Sequence, residues 1–403
     1  MFAGVVATLA AALWLGALLA PWRPCLTREF LEATPGSAPE PLRDVSVLIP
    51  ARDEAGSIDA TLDALLAQGG SSTVIVIDDL SKDATAEKAR NYAGRGVTLV
   101  PGTPPPPGWT GKLWALEQGR RFVRTPLVLL LDADIEMAPG MLAAMRRRLR
   151  SDDLSLLSLM ATLRMETFWE KLLMPAFVFF FKLIYPFRLS NSRSPHVAAA
   201  AGGCVLLRTQ ALDEIGGFAR IRSHLIDDCA LARAFKAAGL TTWIGLSRSV
   251  RSRRSYPRLA GVWGTVARTA YTQLRRSPTL LLCCSVVMIT AFLAPLAGVV
   301  SASPPARAAG AAALVAMCLC YAPVLRYYRR SLGWCALLPF IGMLYLMMTW
   351  SSAMDSWRGR GAVWRGRVYG SLGSRAPAVA ERPRPRGGPD ATALAGDDLK
   401  RHG

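Results

Sequence analysis

The sequence predicts an α/β domain, built on a doubly wound and mostly parallel sheet and attached to transmembrane helices. Three observations carry this. Short, uninterrupted apolar runs alternate with helical patterns between about residues 45 and 135, acid-rich motifs follow those runs, and longer apolar stretches lie towards both ends. Strands buried on both faces read as continuous apolar runs. Strands alternating with helices give a parallel sheet whose ligands gather at the carboxyl ends of its strands.

The chain has 403 residues, 51% of them hydrophobic. Stretches 1–20, 279–300, 308–325 and 332–350 approach the length that crosses a bilayer. The first has no basic n-region and is followed by Arg23 and Arg28, so it reads as a retained anchor ending in the cytoplasm. Roughly 255 residues separate the first and second stretches, room for one sizeable domain. The expected organisation is an anchor over 1–22, a linker over 23–43 and the α/β domain over 44–278. A C-terminal membrane region over 279–350, with about three hydrophobic segments, and a basic, largely disordered tail over 351–403 complete it.

A net charge of +19 invites a nucleic-acid reading, but the placement of the arginines opposes it. They cluster beside apolar stretches, as in Arg275-Arg276 and Arg329-Arg330, and the segment 248–258 carries five arginines and no acid. Such flanks report cytoplasmic placement and attraction to anionic lipid headgroups, and no nucleic-acid-binding pattern accompanies them. Of eight cysteines, Cys283, Cys284, Cys318, Cys320 and Cys335 fall inside the apolar stretches, and none has CxxC spacing. They read as small packing residues rather than a disulfide framework or zinc site.

Within the domain, Val45 to Pro50 forms a strand that runs into Ala51-Arg52-Asp53-Glu54, and a helix follows over 57–67. Thr73 to Ile77 is a second strand, closed by Asp78-Asp79-Leu80-Ser81-Lys82-Asp83. A helix to Tyr92 and a strand over 97–100 come next. The four-proline segment 102–108 is a stiff connector. A helix over 113–123 leads to the strand Leu127–Leu131, which ends in Asp132-Ala133-Asp134. Carboxylates at i and i+2 lie on one side of an extended backbone. There they can hold Mg2+ or Mn2+ and leave coordination positions for a diphosphate; taken alone, such a pair is more often a solvated turn. The aromatic stretch 169–187 is broken by Lys171, Pro175 and Lys182. It reads as an interfacial or re-entrant segment, with a plain core helix as the alternative. Gly202-Gly203 opens a later strand, where close approach of a ligand or tight packing would each require glycine.

Taken in order, Val47-Leu-Ile-Pro-Ala-Arg-Asp-Glu54, Val76-Ile-Asp-Asp-Leu-Ser-Lys-Asp83, Gly111-Lys112, Asp132-Ala-Asp134 and Ile226-Asp-Asp228 resemble glycosyltransferase family 2 over about residues 44–276. More narrowly, Gly108-Trp-Thr-Gly-Lys-Leu-Trp-Ala115 and Val266-Ala-Arg-Thr-Ala-Tyr-Thr-Gln-Leu274 look like the bacterial hopanoid-biosynthesis-associated subgroup. The resemblance implies a GT-A fold and an inverting transfer from a nucleotide-sugar donor, a UDP-sugar being favoured. It implies that Pro50, Ala51, Asp53 and Glu54 border the nucleotide, that Asp78 or Asp79 contacts its base or ribose, and that Lys112 sits near the diphosphate. Asp132 and Asp134 would be the metal motif. Asp228 would be the general base, with Asp227 standing where the family more often has Glu. Arg268 falls where processive members carry Gln-x-x-Arg-Trp, and the missing Gln and Trp point to a single transfer.

Inverting transfer needs a base for the acceptor hydroxyl and charge compensation for the departing nucleoside diphosphate. Each residue also has a bland reading. Asp78-Asp79 and Asp227-Asp228 suit helix N-termini, Lys112 suits a surface, and His224 reads as a polar residue on the helix that carries Asp228. The expected protein is a multi-pass enzyme of the bacterial cytoplasmic membrane, its domain facing the cytoplasm and its acceptor a membrane lipid in hopanoid biosynthesis. Polyprenyl-phosphate and ceramide-like lipids are the alternative acceptors, and a nucleotide-sugar-binding membrane protein is the non-enzyme alternative. One conflict stays open. Three downstream spans would put the tail outside, yet Arg358, Arg360, Arg365 and Arg367 favour the cytoplasm; a re-entrant segment or an exceptional tail would each resolve it.

Overall fold

The computed structural model describes residues 2–34, 40–69, 72–360, 362–364 and 367–369; the expected tail beyond 370 lies outside them. After the apolar helix α1 (Phe2–Leu19) the domain runs β1 (Val45–Ala51), α2 (Ile58–Leu66), β2 (Thr73–Asp78), α3 (Thr85–Arg90), β3 (Val97–Pro101), α4 (Gly111–Arg120), β4 (Leu127–Leu131) and β5 (Ile135–Met137). It continues through α5 (Met141–Ser151), β6 (Leu156–Thr162), α6 (Phe168–Ile184), α7 (Phe187–Ser190), β7 (Cys204–Arg208), α8 (Thr209–Glu214), α9 (Asp227–Ala237) and β8 (Thr242–Ser252). Helices α10 (Leu259–Ala267), α11 (Ala270–Gln273), α12 (Pro278–Phe292), α13 (Ala294–Val299), α14 (Pro304–Tyr327) and α15 (Leu338–Trp357) follow.

The eight strands form one sheet in the order β3-β2-β1-β4-β7-β6-β8-β5. The first four are parallel, as expected. Beyond them the sheet is mixed, with β7 antiparallel to β4 and β6, β6 parallel to β8, and β5 antiparallel to β8. Alternate strand residues feed opposite cores, because successive side chains point to opposite faces. Val47, Ile49, Leu129 and Leu131 pack with α2 and α5, whereas Leu48, Ile77, Val128 and Leu130 pack with α4 and α9. Helix α4 lies so close to the sheet that a Cβ at Gly119 would stand 2.6 Å from Ile77 Cδ1. Strand order reverses between β1 and β4, which opens a crevice at their carboxyl ends.

A third core is apolar and aromatic. Trp14 of α1, Phe179 of α6, Phe292 of α12, Tyr321 of α14 and Tyr345 of α15 belong to it. Helix α6 is continuous through Pro175 and starts at a capping box in which Thr167 and Glu170 satisfy each other's backbone N–H groups. It is therefore a helix packed among the apolar helices of this third core. Segments Pro278–Val299, Pro304–Tyr327 and Leu332–Trp357 are long and apolar enough to cross a membrane; α1 is shorter.

The last of these segments starts and finishes at the domain. Its start follows the end of α14, where the Tyr327 hydroxyl donates to Glu32 at 3.1 Å and Arg248 lies over the Tyr327 ring. Midway, Gly342 meets the Phe292 ring so closely that a Cβ would stand 2.5 Å from it. At its far end the Tyr271 N–H donates to Ser352 and the Trp357 indole to the Tyr271 hydroxyl. Tyr271 belongs to α11, which precedes α12.

Candidate active site

The crevice between β1 and β4 holds a cavity of about 150 Å3, lined by Pro50, Glu54, Lys112, Asp132, Asp134, His224, Asp227, Arg254, Arg268 and Thr269 among others. A narrower cavity adjoins it and adds Gly202 and Asp228. Residues that lie far apart in the sequence thus meet at one place.

Strand β4 carries Asp132 to the mouth of the crevice, where its N–H is held by the Gly203 carbonyl at 3.0 Å. Lys112, in the first turn of α4, places its Nζ 2.8 Å from Asp132 Oδ1 and 3.3 Å from Asp227 Oδ2. Burial disfavours this ammonium, but Asp132 and then Asp227 outweigh it and hold the pKa above the ordinary lysine range. Burial raises the Asp132 pKa, Lys112 opposes this, and Asp134 adds to it. Asp227 and Asp228 open α9. Asp228 accepts from Gly202 N at 2.9 Å and from Cys229 N at 2.7 Å. Burial and then the Asp227 charge push its pKa up to about 6, against those hydrogen bonds and Lys112. Gly202 packs closely here, since a Cβ there would sit 3.3 Å from both Asp228 and the Lys112 ammonium.

Asp134 is buried and accepts from the Ser252 hydroxyl at 2.8 Å, with Arg254 Nε at 3.5 Å. Arg254 also reaches Glu54 Oε1 at 2.9 Å. Its segment, expected at the membrane surface, instead sends this arginine into the site, because β8 pairs with β5 and carries residues 252–254 past Asp134. Arg268 caps the C-terminal end of α10 and lines the cavity with Thr269. His224 also lines the cavity, but from the loop before α9 and not from the helix, which begins at Asp227.

Asp53, Asp78 and Asp79 are not among the residues lining this cavity, and Ala51 is buried in β1. They stitch together the two loops behind it. Asp53 sits at φ 51, receives Lys82 N at 2.7 Å and donates from its own N–H to Ser81 Oγ. Asp78 accepts from Ser81 N, and Asp79 N donates to the Ala51 carbonyl.

Glu54, Asp132, Asp134, Asp227 and Asp228 face Lys112, Arg254 and Arg268 across the two cavities, an excess of two formal negative charges. A dianionic diphosphate would be repelled by that balance unless a divalent cation accompanied it. The hard carboxylate oxygens of Asp132 and Asp134 suit Mg2+ or Mn2+. Among the described residues no group of three or more His, Cys, Asp or Glu side chains is placed to hold an ion unaided. A cation here would therefore complete its shell with water and ligand oxygens, as Mg2+ commonly does.

Residues 46–216 match the model of the family Glycosyl transferase family 2. The 4,4'-diaponeurosporenoate glycosyltransferase of Staphylococcus haemolyticus (strain JCSC1435) is 35% identical over 98 residues, 24% of this chain and 26% of that one. Its namesake from Staphylococcus aureus (strain USA300) is 35% identical over 91 residues, 23% of this chain and 24% of that one. The chain thus matches about a quarter of the length of these relatives. A mannosyltransferase from Pyrobaculum calidifontis, solved with GDP-Man and Mn2+, aligns with a TM-score of 0.49 at 19% identity, covering 88% of this chain and 98% of its own. Glucosyl-3-phosphoglycerate synthase from Mycobacterium tuberculosis, solved with phosphoglyceric acid, aligns with a TM-score of 0.41 at 17% identity, covering 62% and 87%.

Proposed function

We propose that this chain, whose residues 46–216 match the model of Glycosyl transferase family 2, is a membrane-bound inverting glycosyltransferase that moves one sugar from a nucleotide-sugar donor to a lipid acceptor. The observation that carries the reading is the meeting of Lys112, Asp132, Asp227 and Asp228 in a cleft whose wall includes Arg268 and Thr269. These two residues directly follow α10, which packs on α6 and α15 of the apolar layer. An acceptor hydroxyl at the membrane face would reach the acids without leaving the lipid.

In this reading Pro50 and Glu54 border the donor, while Ala51, Asp53, Asp78 and Asp79 form the loop base behind its nucleoside. Asp228 takes the proton of the acceptor hydroxyl as that oxygen attacks the anomeric carbon, and Asp227 flanks it. The bond between the anomeric carbon and the phosphate oxygen breaks, and the electron pair leaves with the nucleoside diphosphate. Lys112, Arg254 and Arg268 meet the charge that develops there. Asp132 and Asp134 would hold Mg2+ or Mn2+, which supplies Lewis-acid stabilisation of the diphosphate. The subgroup resemblance favours UDP-sugars as donors and a hopanoid or another polyisoprenoid as acceptor.

The domain side is read as the cytoplasm. Helices α1, α12–α13 and α14 would cross the membrane, and the last apolar segment would stay on the domain side.

The test is transfer of label from a panel of UDP- and GDP-sugars into membrane lipid, comparing wild type with Asp228→Asn, with and without EDTA. A labelled lipid band that the variant and chelation abolish is the expected result. Nucleotide binding without labelling of any lipid would sink the reading.

A further inference from the structure

A second cavity, of about 650 Å3, shares Ser252 and Arg253 with the segment that feeds the donor site, and is distinctly basic. Arg164, Arg248, Arg251, Arg253, Arg329 and Arg330 line it against Glu136 and Glu166. Three of these arginines are paired. Arg164 meets Glu166, Arg253 meets Glu136 at 2.6 Å, and Arg248 meets Glu32 at 3.1 Å. Among the described residues no carboxylate lies within ion-pair distance of Arg251, Arg329 or Arg330.

Two orphaned polar groups point the same way. Tyr328 is 7% exposed and lines the cavity, yet its hydroxyl has no hydrogen-bond partner, and the buried Nε of Arg330 has none either. Buried polar groups are rarely left so, because the hydrogen bond lost to water goes uncompensated unless something satisfies it. Arg329 also adopts φ 54, the left-handed region that favours glycine at a helix end. That turn lets Arg330 N close on the Leu325 carbonyl at 2.8 Å and brings both arginines round to the cavity.

Position supplies the occupant. Tyr328, Arg329 and Arg330 immediately follow α14, whose 24 residues span about 36 Å, enough for a hydrocarbon core. The domain end of α14 is fixed by Tyr327 on Glu32, so the cavity lies at the depth of the headgroups in the leaflet nearest the domain. This step rests on the membrane placement proposed above. We propose that the cavity bounded by Arg251, Tyr328, Arg329 and Arg330 binds the phosphate headgroup of an anionic phospholipid from that leaflet.

The bland account is that Arg329 and Arg330 only complement the negative end of the helix dipole. Lipid retention separates the two. Full-length protein is placed in nanodiscs of phosphatidylcholine mixed with phosphatidylglycerol, released from them, and weighed by native mass spectrometry. Wild type should carry phosphatidylglycerol in preference, and the double variant Arg329→Ala/Arg330→Ala should hold it roughly 30-fold less well. Tyr328→Phe, which keeps the packing and deletes only the hydroxyl, should also lose retention. Arg326→Ala, exposed at the same helix end but outside the cavity, should not. Equal retention by wild type and all variants overturns the proposal. So does displacement of the lipid by inorganic phosphate at equal concentration, which would make this a soluble-anion site. Because the readout is bound lipid, absence of sugar transfer leaves this test intact.

Discussion

As the proposed base, Asp228 would have to be charged where charge is disfavoured. Burial and its neighbour Asp227 raise its pKa to about 6, from an ordinary aspartate value of 3.8. A base must be ionised to act, so transfer should fall about tenfold per pH unit below that value and level off above it. A pH–rate profile that is flat through pH 6 would remove Asp228 from the role. The same shift bears on stability. The folded pKa lies above the unfolded one, so the folded state gains stability below about 3.8 and loses it as pH rises through about 6. A shift of about two units corresponds to roughly 3 kcal/mol. Asp228→Asn removes that penalty but also weakens one of the hydrogen bonds from Gly202 or Cys229, worth about 1 kcal/mol. At pH 8 it should therefore unfold no earlier than wild type on heating, while transfer drops about 10²- to 10⁴-fold. A variant that is both inactive and unfolded would show that Asp228 serves structure first.

Glu170 ties α6, a helix of the third, apolar core, to the domain. Its carboxylate receives Thr167 N, Glu166 N and Tyr256 N, so one side chain closes the start of α6 and anchors the segment leading to α10. Replacing it with alanine removes the capping box and leaves Tyr256 N unpaired, a loss of about 2–3 kcal/mol in all. Thermal unfolding in detergent should shift down accordingly, whereas Glu166→Ala, an exposed neighbour, should leave it unchanged. Elements of this kind differ in how far sequence reveals them. Strands β1, β2 and β4 were legible because both of their faces are buried and their apolar runs are unbroken. Asp132 was legible for the same reason, because the run of β4 ends on it, whereas Lys112 and Asp227 open α4 and α9 and only the motif resemblance set them beside it. The antiparallel insertion of β7 and the pairing of β5 with β8 were not legible, because they join segments far apart and depend on register alone. Arg254 was hidden for that reason, as one of five arginines in a short stretch, and only the β5–β8 pairing turns it towards Asp134. His224 was misplaced by a helix boundary, since α9 starts at the acids themselves.

At the scale of the molecule, the arginines and the apolar segments set a puzzle that only packing answers. If the domain faces the cytoplasm, as proposed, the charge of residues 358–367 favours that same side, while three crossings after the domain would place them on the other. In the structure α15 lies antiparallel to α12, with Gly342 on Phe292, the Trp350 indole donating to Ser285, and Trp357 returned to Tyr271. Since α12 begins where the domain ends, α15 must end there too. Its exposed face, with Phe340, Met347, Trp350, Met354 and Trp357, is apolar and aromatic, as a surface against lipid should be. An intact crossing would have carried Trp357 about 30 Å away from α11, beyond reach of its hydrogen bond. The expected outcome is that a reporter fused after Gly403 falls on the same side as one inserted in the α/β domain. A fusion that fluoresces only in the cytoplasm, paired with alkaline phosphatase that is active only outside it, reads this in living cells. If the C-terminal phosphatase is active while a fusion within the domain is not, α15 crosses the bilayer and its contacts with Tyr271 do not exist in the membrane.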